Sequence, residues 1–203
     1  MKHEGWPLED LGVELDPNQL SQLEAFEALL KEHAFAQGMA QGMLGANELP
    51  RLRSRHLLDS LRGAAAVSPQ DRSALDMGSG AGLPGVVVAI ACPQLDVTLV
   101  EARSRRAAFL ELVIDRLRIS NASVRHCRVE DLATVVDLCL ARAFAPASKS
   151  WQVAEPRLSP TGRLLYWAGV SFEISDVPAG VRTVISPASA LARSGPLVMM
   201  CRQ

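Results

Sequence analysis

The stretch Leu75-Asp76-Met77-Gly78-Ser79-Gly80-Ala81-Gly82-Leu83-Pro84-Gly85 constrains this chain more than any other. A short apolar run (Ala74, Leu75, Met77) precedes it and Val86 to Ala91 follows, so it reads as a turn from a strand into a helix. Glycines in such a turn take positive φ and let the backbone approach a ligand more closely than any Cβ permits. The start of the next helix offers N–H groups suited to a carboxylate or phosphate. Downstream, Val97-Thr98-Leu99-Val100 reads as a buried parallel strand. Glu101 stands at its end, placed to accept both hydroxyls of a ribose. Loop, strand and acid together point to a doubly wound α/β domain with a nucleotide-type cofactor.

Two cofactor classes fit this pattern. Gly80-Ala81-Gly82-Leu83-Pro84-Gly85 matches the dinucleotide fingerprint G-x-G-x-x-G, and Glu101 follows it at about 20 residues, as that fingerprint expects. Against it, the glycine run begins earlier, at Gly78, which makes the turn longer and more open. Pro84 also has no N–H to donate to a pyrophosphate. Asp76, just before the first glycines, suits a cationic ligand such as the sulfonium and ammonium groups of S-adenosylmethionine. A tight turn with no ligand is the third reading, since one glycine motif is weak evidence.

A length of 203 residues accommodates one α/β domain preceded by a helical extension; the boundary is expected near residue 68, giving segments 1–68 and 69–203. Hydrophobic residues make up 48% of the chain, ample for a core. No uninterrupted apolar stretch reaches membrane-spanning length, and Met1-Lys2-His3-Glu4-Gly5-Trp6 lacks the pattern of a signal peptide. Cys92, Cys127, Cys139 and Cys201 are widely spaced, so they read as buried free thiols and not as a disulfide or metal framework. These features predict a soluble cytoplasmic protein without a membrane or metal partner; they leave its oligomeric state open.

The net charge of −1 conceals an uneven distribution. Residues 1–32 hold eight acids against Lys2 and Lys31, a balance of −6, which leaves +5 for the remainder. Three basic clusters lie there: Arg51, Arg53, Arg55 and His56; Arg103, Arg105 and Arg106; and Arg125, His126 and Arg128. Such clusters suit phosphates, and they also suit a solvated face.

Asp16-Pro17-Asn18-Gln19 opens a helix with an N-cap, a proline at the first position and a capping box. Leu20, Leu23, Phe26, Leu29 and Leu30 give it one apolar face, so helix is predicted from Pro17 to about Gln37. Gly38, Gly42 and Gly45 loosen the next stretch, and a second helix is predicted from Arg51 to Val67. Strands are predicted near 73–77, 96–101, 122–127, 137–141, 163–168, 181–185 and 196–201, with helices near 85–91, 104–118 and 146–157. Thr161-Gly162 reads as a turn into the fifth strand. The alternation predicts a largely parallel sheet, and the last two strands suit an antiparallel edge.

The loop Asp76 to Gly85, taken with Arg55-His56-Leu57-Leu58-Asp59-Ser60-Leu61, resembles the RsmG (GidB) methyltransferase family. Arg128-Val129-Glu130 and Ala141-Arg142-Ala143-Phe144 strengthen the resemblance, which covers about residues 51–167. It implies a Rossmann-like class I methyltransferase sheet with an N-terminal helical extension. It further implies transfer of a methyl group from S-adenosylmethionine to N7 of a guanine in 16S rRNA of the small ribosomal subunit. Carried onto this chain, Gly78, Gly80 and Leu83 would shape the methionine end of the cofactor pocket, and Glu101 would hold the ribose. Val129 and Glu130 would border the adenine, and Arg142 would line the pocket opposite the target base. Arg55 and His56 would contact RNA or serve as the solvated neighbours of Leu57 and Leu61, and the charge cluster Arg103, Arg105 and Arg106 is the other candidate for RNA contact. No general base is assigned, because guanine N7 carries a lone pair and no proton.

Three segments depart from the family pattern. An Asn-Leu-Thr segment usual in the family is replaced by Gly45-Ala46-Asn47-Glu48-Leu49-Pro50, and a lysine–glycine pair after the fifth strand by Trp167-Ala168-Gly169. Val170 to Val181 is short for the helix expected there. All three belong to the substrate side, so a paralogue acting on another RNA or a small molecule, or a non-catalytic cofactor- or RNA-binding module, stays open beside the first reading.

Overall fold

The computed structural model describes residues 6–36, 46–187 and 194–203. Gln37, Gly38, Gly42 and Gly45, assigned above to the end of the first helix and a loosened stretch, lie outside the described residues. A seven-stranded sheet organises the rest, in the order β3-β2-β1-β4-β5-β7-β6. Its strands are β1 (Ser73–Met77), β2 (Asp96–Val100), β3 (Ala122–Arg125), β4 (Val136–Arg142), β5 (Leu158–Trp167), β6 (Val181–Ser186) and β7 (Leu197–Arg202). The first five run parallel, and β7 inserts antiparallel between β5 and β6, as the late-strand reading expected. From β1 the chain passes outward through β2 and β3, then crosses back to β4 on β1's other side. Such a reversal opens a crevice at the carboxyl ends of the two central strands.

Helices α1 (Pro17–Ala36), α2 (Leu58–Ala64), α3 (Gly85–Ala91) and α4 (Ser104–Leu117) share one apolar cluster on one face of the sheet. The capping box of α1 forms as expected: the Gln19 N–H donates to Asp16 Oδ1 at 2.9 Å, and the Asp16 N–H donates to Gln19 Oε1 at 2.8 Å. Gln19 also donates through Nε2 to the Ile90 carbonyl at 2.8 Å, which fastens α1 to the end of α3. Leu23, Phe26, Leu57 and Leu61 are fully buried there. The N-terminal helices therefore complete the core of the α/β unit. A second cluster, with Trp151 and Val153 of α5 (Ala147–Ala154), covers the opposite face. Central strands β1 and β4 are buried almost throughout, whereas β3 and β6 alternate as edge strands do.

Four local expectations are corrected. Arg51–Val67 is not one helix but a tight turn Ala46–Arg51, a π-helical turn Leu52–Leu57 and then α2. Pro50 cannot donate a backbone hydrogen bond near the start, and π-helical turns concentrate at functional sites. Thr161-Gly162 lies inside β5: pairing moves from Val136–Leu158 to Leu138–Arg163, so the intervening residues of β5 form a bulge. The helix predicted at 146–157 ends at Ala154 and passes into a tighter turn Glu155–Arg157, since Pro156 lacks the N–H to continue it. Of the cysteines, all free, Cys92 and Cys139 are buried but Cys127 and Cys201 are half-buried.

Candidate active site

The glycine loop is held open by its own backbone. Gly78, Gly80 and Gly82 have φ of 71°, 55° and 86°, the left-handed region that side chains disfavour. A Cβ on Gly78 would lie 2.9 Å from the Phe144 ring. Asp76, read from sequence as facing a cationic ligand, turns inward instead. It is 1% exposed, and its Oδ2 accepts from the Gly85 N–H at 3.2 Å. Burial pushes its carboxyl up to about 7, against hydrogen bonding from Ser79 and Gly85. The start of α3 is likewise occupied by the loop, because the Val86 N–H donates to the Gly82 carbonyl at 2.9 Å. The N-terminal donors expected for a ligand thus serve the turn itself.

Glu101, just past β2, ties its side of the crevice to the loop. Its Oε2 accepts from the Gly80 N–H at 3.0 Å and its Oε1 from the Arg103 N–H at 2.8 Å. Arg106 Nη1 stands 4.0 Å from the same carboxylate. Each carboxylate oxygen keeps a further acceptor position, while the residue is 5% exposed and stands behind Gly80 and Arg106 rather than on the cavity lining.

A cavity of about 730 Å³ opens at the ends of β1, β4 and β5, within the range of small-molecule sites. Its floor is Gly78 to Ala81 with Leu83; Arg142 and Ala143 form the β4 side, and Tyr166 to Val170 the β5 side. Arg55, His56 and Asp59 close it from the helical extension. Arg142 reaches across to that extension: Nε donates to Asp59 Oδ2 at 3.2 Å, and Nη2 lies 2.7 Å from His56 Nδ1. A guanidinium only donates, so Nδ1 accepts and the proton of a neutral His56 sits on Nε2, 2.7 Å from Glu48 Oε2. Burial first, then the charge of Arg142, holds the His56 pKa below its ordinary value. Glu48 also receives Arg55 Nη1 at 3.2 Å, and its carboxyl is lowered chiefly by the hydrogen bond from His56.

The structure therefore gathers Gly78, Gly80, Leu83 and Arg142 around one cavity with Arg55, His56 and Arg106. It does not bring every candidate there. Val129 is buried in the core on the α5 side, and Glu130 is exposed, its carbonyl accepting from Arg157 Nη2 at 2.8 Å. Arg103 and Arg105 project into solvent from the start of α4. Among the cavity residues without a role from the sequence are Asp59, which stands in the quoted motif unassigned, and Tyr166. Periodicity cannot single out a buried aspartate on an apolar helix face, although charge on that face is the available signal.

Comparison with known proteins adds two findings. A methyltransferase from Geobacter sulfurreducens superposes with a TM-score of 0.59 at 11% identity, covering 96% of this chain and 92% of that one. A mutant of MtNAS in complex with S-adenosylmethionine also superposes at 0.59, with 16% identity over 90% of this chain and 72% of its own. Sheet order and strand-end crevice define the methyltransferase class of α/β fold. Residues 19–175 match the family model described as rRNA small subunit methyltransferase G. The ribosomal RNA small subunit methyltransferase G of Acidovorax sp. (strain JS42) is 36% identical over 188 residues, covering 84% of this chain and 80% of that protein. Its counterpart in Acidothermus cellulolyticus is 39% identical over 132 residues, 65% of this chain and only 59% of that protein's length. This chain belongs to the rRNA small subunit methyltransferase G family.

Proposed function

We propose that this chain transfers a methyl group from S-adenosylmethionine to N7 of a guanine in the RNA of the small ribosomal subunit, in the cytoplasm where that subunit is assembled. The observation that carries the reading is the cavity at the β1–β4 crevice, with a floor of left-handed glycines and a buried carboxylate bonded to that loop. These residues fit the cofactor: Gly78, Gly80 and Leu83 at the methionine end and Glu101 toward the ribose; Val129 and Glu130, off the cavity lining, are left without a part in it. Bound there, S-adenosylmethionine supplies an electrophilic methyl group on a positively charged sulfur.

Guanine N7 offers a lone pair and no proton, so this chain needs no general base. Its contribution is positioning and electrostatics. Arg142, held on two sides by the extension, fixes the wall facing the base. Arg106 lines the floor beside Glu101. Arg103, Arg105, Arg125 and Arg128 are exposed and form no ion pair among the described residues, in contrast to Arg53, Arg55, Arg62, Arg142 and Arg163. Backbone pairing of Val100 with Arg125 and a His126–Ala102 carbonyl contact of 3.2 Å bring their segments to one edge of the sheet. That edge suits phosphates flanking the target.

One observation favours a second reading, a different RNA or a small molecule as acceptor. Ala168, in the segment where the family resemblance leads to the expectation of a lysine, is buried with its N–H on the Pro196 carbonyl, so the cavity end of β5 presents no cation. Incubation with tritiated S-adenosylmethionine and small subunits lacking the modification separates the two. The first reading predicts label in the rRNA, at a site cleaved by aniline after borohydride reduction. Label in another RNA, or none in either subunits or free rRNA, contradicts it.

A further inference from the structure

The Arg-His-x-x-Asp motif contains two side chains that the proposed chemistry does not use. Asp59 is 4% exposed and divides its carboxylate: Oδ1 receives Arg62 Nη1 at 2.9 Å, and Oδ2 receives Arg142 Nε at 3.2 Å. Its backbone carbonyl accepts the Trp167 Nε1–H at 2.8 Å, so α2, β4 and β5 meet at one residue. Arg62 is itself fixed, donating to the Pro187 and Gly195 carbonyls at 2.9 and 3.0 Å and to Ser194 Oγ at 2.9 Å. Asp59 therefore stands immobile between two cations. His56 supplies the second support, an sp² nitrogen 2.7 Å from Arg142 Nη2.

We infer that His56 and Asp59 are positioning residues for Arg142, and that the Arg142 wall of the cavity is set only while His56 is neutral. The inference rests on the role proposed for Arg142 in the cavity, and it takes His56 out of direct RNA contact. A long arginine on a strand end has several rotamers of similar energy. Two acceptors at right distances, one of them charged, select one. Protonation of His56 removes the acceptor at Nδ1 and sets an imidazolium against the guanidinium. The charged groups around His56 are Glu48 on the preceding turn, Arg55 on its own turn, Asp59 on α2 and Arg142 on β4. Glu48 pulls toward the charged imidazole and Arg142 against it; burial sides with Arg142. Acid thus releases Arg142 from one of its two supports.

Two measurements test this, and they fail separately. Long-range ¹H–¹⁵N spectra of the full chain report the His56 tautomer without any substrate. The expected result is a neutral ring with its proton on Nε2, titrating below the ordinary 6.5, and an upward shift of that titration in Arg142→Ala. A proton on Nδ1, or no response to Arg142→Ala, overturns the inference. Methyl transfer to small subunits is then followed against pH. Wild type should lose activity on the acid side through a single proton with kcat affected and KM for S-adenosylmethionine steady. His56→Gln keeps an acceptor but no titrating group, so its reduced activity should be flat over that interval. Retention of the acid limb in His56→Gln overturns the inference. Asp59→Asn, which halves the support and keeps an acceptor, should lower kcat about tenfold while circular dichroism shows the fold intact; unchanged kcat overturns the part assigned to Asp59. If the spectra behave as expected but wild type methylates no rRNA, the proposed function falls and the Arg142 support stands.

Discussion

A Cβ added to Gly85 would run into the Asp76 carboxylate and Leu99, whereas one added to Gly169, just beyond β5, would meet nothing within 4 Å. The two sides of the cavity differ in how the space is built, although Gly195 on the β5 side leaves no room for a Cβ either. On the β1–α3 side, ligand-sized space is made by backbone: three left-handed glycines, a buried aspartate beneath the turn, and Glu101 bonded to a loop N–H. Across the cavity it is made by side chains drawn from distant segments, with Arg142, His56, Asp59 and Trp167 joining β4, β5 and α2. Backbone construction tolerates almost no substitution and so leaves a dense local motif. Side-chain construction is spread over the chain, and at the β5 end Trp167 packs into the space left by Gly63.

The sharpest way to break this comparison is the same class of substitution on each wall. Gly85→Val should cost about 3 kcal/mol or more by overpacking against Asp76 and Leu99. Gly169→Ala should stay within about 0.5 kcal/mol. Urea denaturation measures both, and similar losses would erase the distinction. Next in size, Glu101→Ala should weaken S-adenosylhomocysteine binding by roughly 1.5–3 kcal/mol, or about 10- to 150-fold. Titration calorimetry checks this, and unchanged affinity would reduce Glu101 to a loop tether.

Asp76 sharpens the comparison through pH. Its carboxyl titrates near 3.8 when unfolded and at about 7 in the fold. The unfolded chain therefore releases this proton first as pH rises. Stability falls across that interval, and the full penalty is present above it. Asp76→Asn keeps an acceptor for the Gly85 N–H and should flatten this part of the stability–pH curve. An unaltered curve would show that Asp76 is ionised and solvated. Smallest in free energy, Arg103→Ala and Arg105→Ala should each reduce the salt slope of rRNA binding by about 1 without changing cofactor affinity. Filter binding across a salt series measures the slope, and an unchanged one would return both residues to the solvated surface.

Legibility in the sequence follows the same division. Strand positions, the glycine loop, the α1 capping box and Glu101 at the end of β2 were all readable, because each depends on residues close together in the chain. The break of the Arg51–Val67 helix into a tight turn, a π turn and α2 was not. Propensity favoured one helix there, and the outcome depends on Pro50 together with packing of Leu57 and Leu61 against distant elements. The bulge at Thr161-Gly162 was hidden for a related reason: a glycine between strands reads as a turn unless the partner strand's register is known. Arg142 was legible by family resemblance, but its supports were not, since Asp59 and Arg142 lie 83 residues apart.

The central claim is that the backbone-built wall holds a sulfonium nucleoside and not a dinucleotide. Calorimetric titration of the full chain with S-adenosylhomocysteine, with NAD in parallel, tests it most directly. The account predicts binding of S-adenosylhomocysteine at micromolar strength and no heat with NAD. Binding of NAD alone, or silence with both, would contradict it.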